Sequence, residues 1–146
     1  MKLSLQPAGI LLLLVISAPI AAWGQSTTQP PHPIDAAYEE CMSIDTNQTT
    51  YGMMMCAQQA EEAWDKELNK NYKELMALLT PEEQNQLKEA QRKWLAFRDA
   101  EFQFSGNLHY NMEGTMYRPM AADKEMQIVR ARALELRGYI DLKTME

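Results

Sequence analysis

Two cysteines, Cys41 and Cys56, two histidines, His32 and His109, and eleven methionines carry the chemistry of this sequence beyond charge. The cysteines lack the Cys-x-x-Cys spacing and the strand-helix setting of a redox pair, so in an oxidising compartment they read as one disulfide. Closing a loop of that size constrains the unfolded chain by about 3 kcal/mol in the entropy model. No Gly-x-Ser-x-Gly, His-Glu-x-x-His or Gly-rich phosphate loop is present, so no enzyme is expected and no catalytic residue is assigned. His32 falls in a linker and His109 in a loop, where a lone imidazole reads as solvated rather than as a general base. Met53-Met54-Met55, with Met112, Met116 and Met120 near His109, offer thioethers suited to copper(I). Pro119 interrupts the helical spacing the last trio would need, and Met is a common gap-filler in helical cores. The methionines therefore read as packing or as an adaptable contact surface, with no metal and no cofactor assigned.

The elements that carry these residues begin after an N-terminal leader. Lys2 precedes the apolar run Ile10 to Ile16, which ends at Pro19 and small residues. That pattern is a secretory signal peptide over residues 1–24, with Ala22 at the −3 position. Its apolar core is shorter than the roughly 20 residues of a spanning helix. No cysteine follows it for lipid attachment, so the expected location is periplasmic or secreted, with no membrane span after cleavage. Losing Lys2 with the leader takes the net charge from −6 to −7. A chain of 146 residues with this acidic balance has room for one domain and lacks the positive field of a nucleic-acid groove. Six glycines and 8% aromatic residues argue against a sheet-rich fold with many tight turns.

Residues 25–33, with three prolines and no aliphatic side chain, have linker composition, and the folded domain is placed at 34–143. A short helix is expected from Ile34 to about Met42, followed by a polar break and a cap at Thr49 or Thr50. Met53, Ala57, Ala60, Trp64, Leu68, Tyr72, Leu75 and Leu79 then recur at steps of three and four, the mark of a long amphipathic helix. Thr80-Pro81-Glu82-Glu83 reads as a stop and a capping-box restart. The second long helix carries Leu87, Ala90, Trp94, Phe97, Glu101, Phe104 and Leu108 as its expected buried stripe. Ser105 to Pro119 reads as a long loop with apolar contact groups, of the kind that is usually functional. A last helix from about Met120 to Asp141 presents Met126, Val129, Ala133, Leu136 and Ile140. The fold expected is all-α: a small antiparallel bundle on a long helical hairpin, with a short N-terminal helix tied by Cys41–Cys56.

Asp65, Asn69 and Tyr72 share one face of the first long helix, and Gln91, Trp94 and Arg98 one face of the second. With the turn near residue 80, Asn69 falls opposite Gln91, and Asp65 opposite the turn from Trp94 to Arg98. The six read as a structural polar network that fixes the hairpin register, with Asp65 and Arg98 as its buried ion pair.

Thr50-x-x-Met53-x-x-Cys56, Ala63-x-Asp65-x-x-Leu68-Asn69-x-x-Tyr72-x-x-Leu75, Ala90-Gln91-x-x-Trp94-x-x-Phe97-Arg98-Asp99, the Gly114-Thr115 loop and Arg132-x-x-x-Leu136 follow one another in order. Over residues 38–140 the chain resembles the LprI-like lysozyme inhibitor family. The resemblance implies a secreted or periplasmic all-helical domain of a family named for a member that inhibits lysozyme. The family pattern usually has four cysteines; here the places of the second pair are Phe102 and about Lys124, so the loop at 105–119 is flanked by one covalent tie fewer.

The expected function is non-covalent protein binding, with a basic lysozyme or another exported toxin or enzyme as partner. An acidic chain is steered toward a basic target, faster at low salt. Direct blockage needs a protruding element. That role falls to Tyr110, Met112, Glu113, Gly114, Thr115, Tyr117 and Arg118, with Arg118 reaching a groove carboxylate. Two alternatives stay open: the loop covers the end of the bundle, and the partner is a non-lysozyme toxin or envelope enzyme for which the chain is an immunity module. The oligomeric state is not fixed by sequence, and the Met-rich face could dimerise.

Overall fold

The computed structural model describes residues 30–145; the expected signal peptide and most of the linker lie outside the described residues. Pro33 opens the first helix because its fixed φ suits the first helical position and its missing N–H needs no partner there. His32, expected to be a solvated linker side chain, is instead the N-cap: its Nδ1 accepts from the Ile34 N–H at 3.3 Å. The helix α1 runs Pro33–Ser43, followed by a short 3-10 turn at Asp45–Asn47. Thr49 caps α2, Thr50–Leu78, by accepting from the Gly52 N–H at 3.0 Å.

The stop and restart at Thr80 is a full capping box. The Glu83 N–H donates to Thr80 Oγ1 at 3.4 Å and the Thr80 N–H donates to the Glu83 carboxylate at 2.8 Å. That backbone bond, then Lys143 and the Thr80 hydroxyl, holds the Glu83 carboxyl down at about 2. From it α3 runs Pro81–Tyr110, and α4 follows at Tyr117–Thr144. Among the described residues there is no strand, and no helix is long and apolar enough to cross a membrane.

Cys41 and Cys56 form the expected disulfide, tying the end of α1 to the first turns of α2. Asn47 closes the small loop from within, its Nδ2 donating to the Cys41 carbonyl at 2.9 Å. The turn passes so close to α2 that a Cβ on Gly52 would lie 2.6 Å from Asn47 backbone atoms.

The core lies mainly between α2 and α4. Ala57, Ala60, Trp64, Leu68 and Leu75 from α2 meet Met126, Val129, Ala133, Leu136 and Ile140 from α4, all buried. Both lines are the period-3.6 stripes of the sequence. Fully buried Trp64 is roofed by α1 and α4: the His32 ring centroid lies 4.4 Å away and the Arg130 guanidinium 5.5 Å. Arg130 in turn grips Asp35 of α1 through two bonds of 2.8 Å, the geometry of a bidentate charged pair.

The third helix packs mainly on α4, not along α2. Leu87 is its buried anchor, with Trp94 and Phe102 partly buried beside the core. The expected stripe is corrected here: Ala90, Phe97, Phe104 and Leu108 are exposed. The inward line instead runs through Leu87, Gln91, Trp94, Arg98, Phe102, Ser105 and His109, all buried or half-buried. The loop at 105–119 is also corrected, because α3 continues to Tyr110 and α4 starts at Tyr117. Gly106 sits in a helix with open space around it, and Pro119 falls in the first turn of α4, where no intrahelical N–H bond is due.

Candidate functional site

Of the expected contact loop, residues 111–116 remain as a true connection. It leaves α3 through Asn111, whose N–H donates to the Asn107 carbonyl at 3.3 Å, and Met112, whose N–H donates to the His109 carbonyl at 3.2 Å. It turns at Gly114, where φ is +105°, a conformation that favours glycine because an L side chain is strained there. It enters α4 with the Arg118 N–H donating to the Thr115 carbonyl at 3.3 Å. One side-chain bond holds it to the disulfide end of the bundle: Thr50 Oγ1 donates to Thr115 Oγ1 at 3.3 Å.

The structure brings the seven expected contact residues together at this end. Tyr110, Met112, Glu113, Gly114, Thr115 and Arg118 are exposed, and Tyr117 is half-buried. The Arg118 guanidinium lies 5.8 Å from the centroid of the Tyr110 ring, a cation–π approach that presents ring and charge side by side. Arg118 and Glu113 make no ion pair among the described residues. Neither charge is therefore matched by an opposite side-chain charge among the described residues.

Beside the loop, a hollow of about 580 Å³ opens between the helices. Phe104 and Leu108 of α3 and Met116 and Met120 at the start of α4 form its exposed apolar lip. On the opposite wall the Tyr38 hydroxyl donates to Asp123 at 3.0 Å. Burial, then the Asp123 charge and this bond, push the Tyr38 phenol up to about 12. Glu101 faces Lys124 at 3.7 Å.

The six residues expected as a polar network are placed differently. Asp65, Asn69, Tyr72, Gln91 and Trp94 line one open groove of about 370 Å³ between α2 and α3. The Asp65–Arg98 ion pair does not form. Asn69 Nδ2 donates to Asp65 at 2.9 Å, and Arg98 bonds its neighbour Asp99 at 2.7 Å while lying 5.6 Å from the Trp94 ring. The physical reason is the position of α3: leaning on α4, it leaves the groove open, so neither charge has to be desolvated against the other.

Sequence reading missed the polar groups that are buried. Asn71 donates to the Ala133 carbonyl at 3.0 Å and so pins α2 to α4. Arg132, buried under α3, donates to Gln91 at 3.1 Å and to Glu135 at 2.6 Å, with its guanidinium 5.9 Å from Trp94. Asn71 follows the apolar stripe by three from Leu68, and Arg132 precedes Ala133 and Leu136, a position on the buried face that could have marked each. No cluster of three or more His, Cys, Asp or Glu side chains suited to a metal occurs among the described residues. A hydroxyl–imidazole contact does occur one turn apart on α3, with Ser105 Oγ 3.3 Å from His109 Nδ1, but that nitrogen also lies 2.7 Å from the Ser105 carbonyl oxygen.

The fold thus defines a four-helix domain with one disulfide and a short connection, 111–116, flanked by exposed Tyr110 and Arg118. A model of the family described as Lysozyme inhibitor LprI matches residues 41–136, and the chain belongs to that family. That is a family of inhibitors, not of enzymes. The crystal structure of an uncharacterized protein from Burkholderia thailandensis is similar at 32% sequence identity, with a TM-score of 0.73 over 78% of this chain. This chain spans 56% of that chain's length. No curated protein matches.

Proposed function

We propose that this protein is exported and inhibits lysozyme by non-covalent binding, offering the end of the bundle from Tyr110 to Arg118 to the enzyme. Membership of the LprI family over residues 41–136 carries this reading. Lysozyme cleaves its substrate with a pair of carboxyl groups in an open cleft. An arginine without an internal carboxylate partner is suited to meet such a site, because guanidinium–carboxylate bonds are strong and directional. Tyr110 and Met112 supply contact area of the kind enriched at interfaces. The net charge of −6 over the whole chain, −7 without the leader, steers it toward a basic partner.

The test is a paired substitution, Tyr117→Ala with Arg118→Ala. Neither residue belongs to the α2–α4 core, so the helices stay folded by circular dichroism while inhibition weakens by tenfold or more, equivalent to about 1.4 kcal/mol. Unchanged inhibition would remove the loop from the contact. Tight capture of an exported enzyme other than lysozyme, with no lysozyme inhibition, would favour an immunity role.

A further inference from the structure

The hollow beside the loop collects soft donor atoms from every helix. Met42 comes from α1, Met53 from α2, His109 from α3, Met116 from the cap of α4 and Met120 from its first turns. We propose that these residues form a binding site for a soft monovalent metal ion, copper(I) by its chemistry, with His109 Nε2 as the nitrogen ligand and thioethers as the remainder. This inference does not depend on lysozyme inhibition.

Three observations carry it. The first is donor type: thioether and neutral imidazole favour copper(I), whereas carboxylate and carbonyl oxygens favour magnesium and calcium. The two carboxylates on the wall are occupied, Asp123 by the Tyr38 hydroxyl at 3.0 Å and Glu101 by Lys124 at 3.7 Å. The second is the state of the imidazole. His109 Nδ1 lies 2.7 Å from the Ser105 carbonyl oxygen, which can only accept, with the Ser105 hydroxyl 3.3 Å away, so Nδ1 is the donor and in the neutral ring the lone pair falls on Nε2. A metal-ligating histidine is held in its tautomer by this kind of bond.

The third is where the methionines stand. A methionine that serves as core filler is buried, as Met126 is at 1% exposure, but Met116 and Met120 are 55% and 52% exposed. Pro119 sits inside the first turn of α4 and leaves Met116 and Met120 one turn apart, whereas Met112 of the expected trio lies in the connection and does not line the hollow. Each thioether ends an unbranched chain with three rotatable bonds, so sulfurs on the walls can be drawn onto one ion.

The chain from Gln25 to Glu146, which contains every described residue, is to be titrated with silver(I) while the methionine methyl resonances are followed by NMR. Silver(I) is a soft monovalent stand-in that needs no reductant, so Cys41–Cys56 stays oxidised. The expected result is saturation at one ion per chain, with resonances among Met42, Met53, Met116 and Met120 shifting together and those of Met76 and Met126 unmoved. Met116→Leu with Met120→Leu, close in volume and on the surface, should lower the affinity at least as much as the roughly 10–100-fold that loss of an outer-shell partner costs. His109→Gln should do the same. Shifts scattered over exposed Met112 and Met145 without a one-to-one endpoint, or unchanged affinity in the leucine variant, would overturn the proposal.

Discussion

At the scale of single residues, the molecule depends on close approaches and partial charges that propensity does not reveal. Gly52 is held by space: with Asn47 backbone atoms 2.6 Å from the place of a Cβ, Gly52→Ala must push the turn off α2 beside the disulfide. Overpacking of this kind costs about 1–3 kcal/mol, which urea unfolding should show, while Gly106→Ala, in open space, should leave stability unchanged or raise it. Glu61 tests the electrostatics. Burial, then the charge of Glu125 on α4, raises its carboxyl above the usual range, with Asp65 and Glu62 adding to the effect and Arg98 on α3 opposing it. A raised folded value means the contribution to stability is present below the unfolded value and is lost as pH rises through the folded one. Glu61→Gln should therefore stabilise the protein at pH 7, and the gain should vanish near pH 3.5. An equal gain at both values would contradict this cause.

At the scale of the element, α2 and α4 were legible because each buries one broad face, and an apolar residue at every third or fourth place marks that face. Trp64, Leu68, Leu75, Met126, Val129 and Leu136 were all named by this rule and are all buried. The third helix was misread because it is covered along a narrower line. Phe97, Phe104 and Leu108 have core spacing, yet they are exposed, and the inward line alternates Leu87, Trp94 and Phe102 with Gln91, Arg98, Ser105 and His109, so its apolar period is broken by polar residues. Leu87→Ala should thus cost about 2–4 kcal/mol, whereas Phe97→Ser on the exposed side should stay within about 0.5 kcal/mol in the same unfolding assay. The expected loop at 105–119 is longer than the real one because Gly106 and Pro119 have the residue types of helix breakers, although one lies in a tolerant interior turn and the other in a first turn.

At the scale of the whole molecule, the two ends of the bundle differ. The α2–α3 turn is closed by the Thr80 capping box and by Lys143 reaching Glu83 at 3.0 Å. The opposite end carries the disulfide, the loop at 111–116 and the methionine-rich hollow. The seven expected contact residues could be gathered from sequence because they fall within one short stretch, 110–118; the hollow could not, since Met42 and Met53 reach it only through the docking of α1 and α2 against α4. Removing the disulfide with Cys41→Ser and Cys56→Ser should cost about 3 kcal/mol for its 15-residue separation. Because Thr50 holds Thr115 next to that bridge, calorimetry should show the lower stability, and lysozyme inhibition should fall more at 37 °C than at 10 °C.

Lysozyme inhibition is to be measured as the activity of several lysozyme types in the presence of the oxidised chain from Gln25 to Glu146, at low and moderate salt. Saturable inhibition of at least one type, weakening as salt rises because opposite charges steer the encounter, is the predicted result. Full lysozyme activity at every ratio of folded protein to enzyme would contradict it.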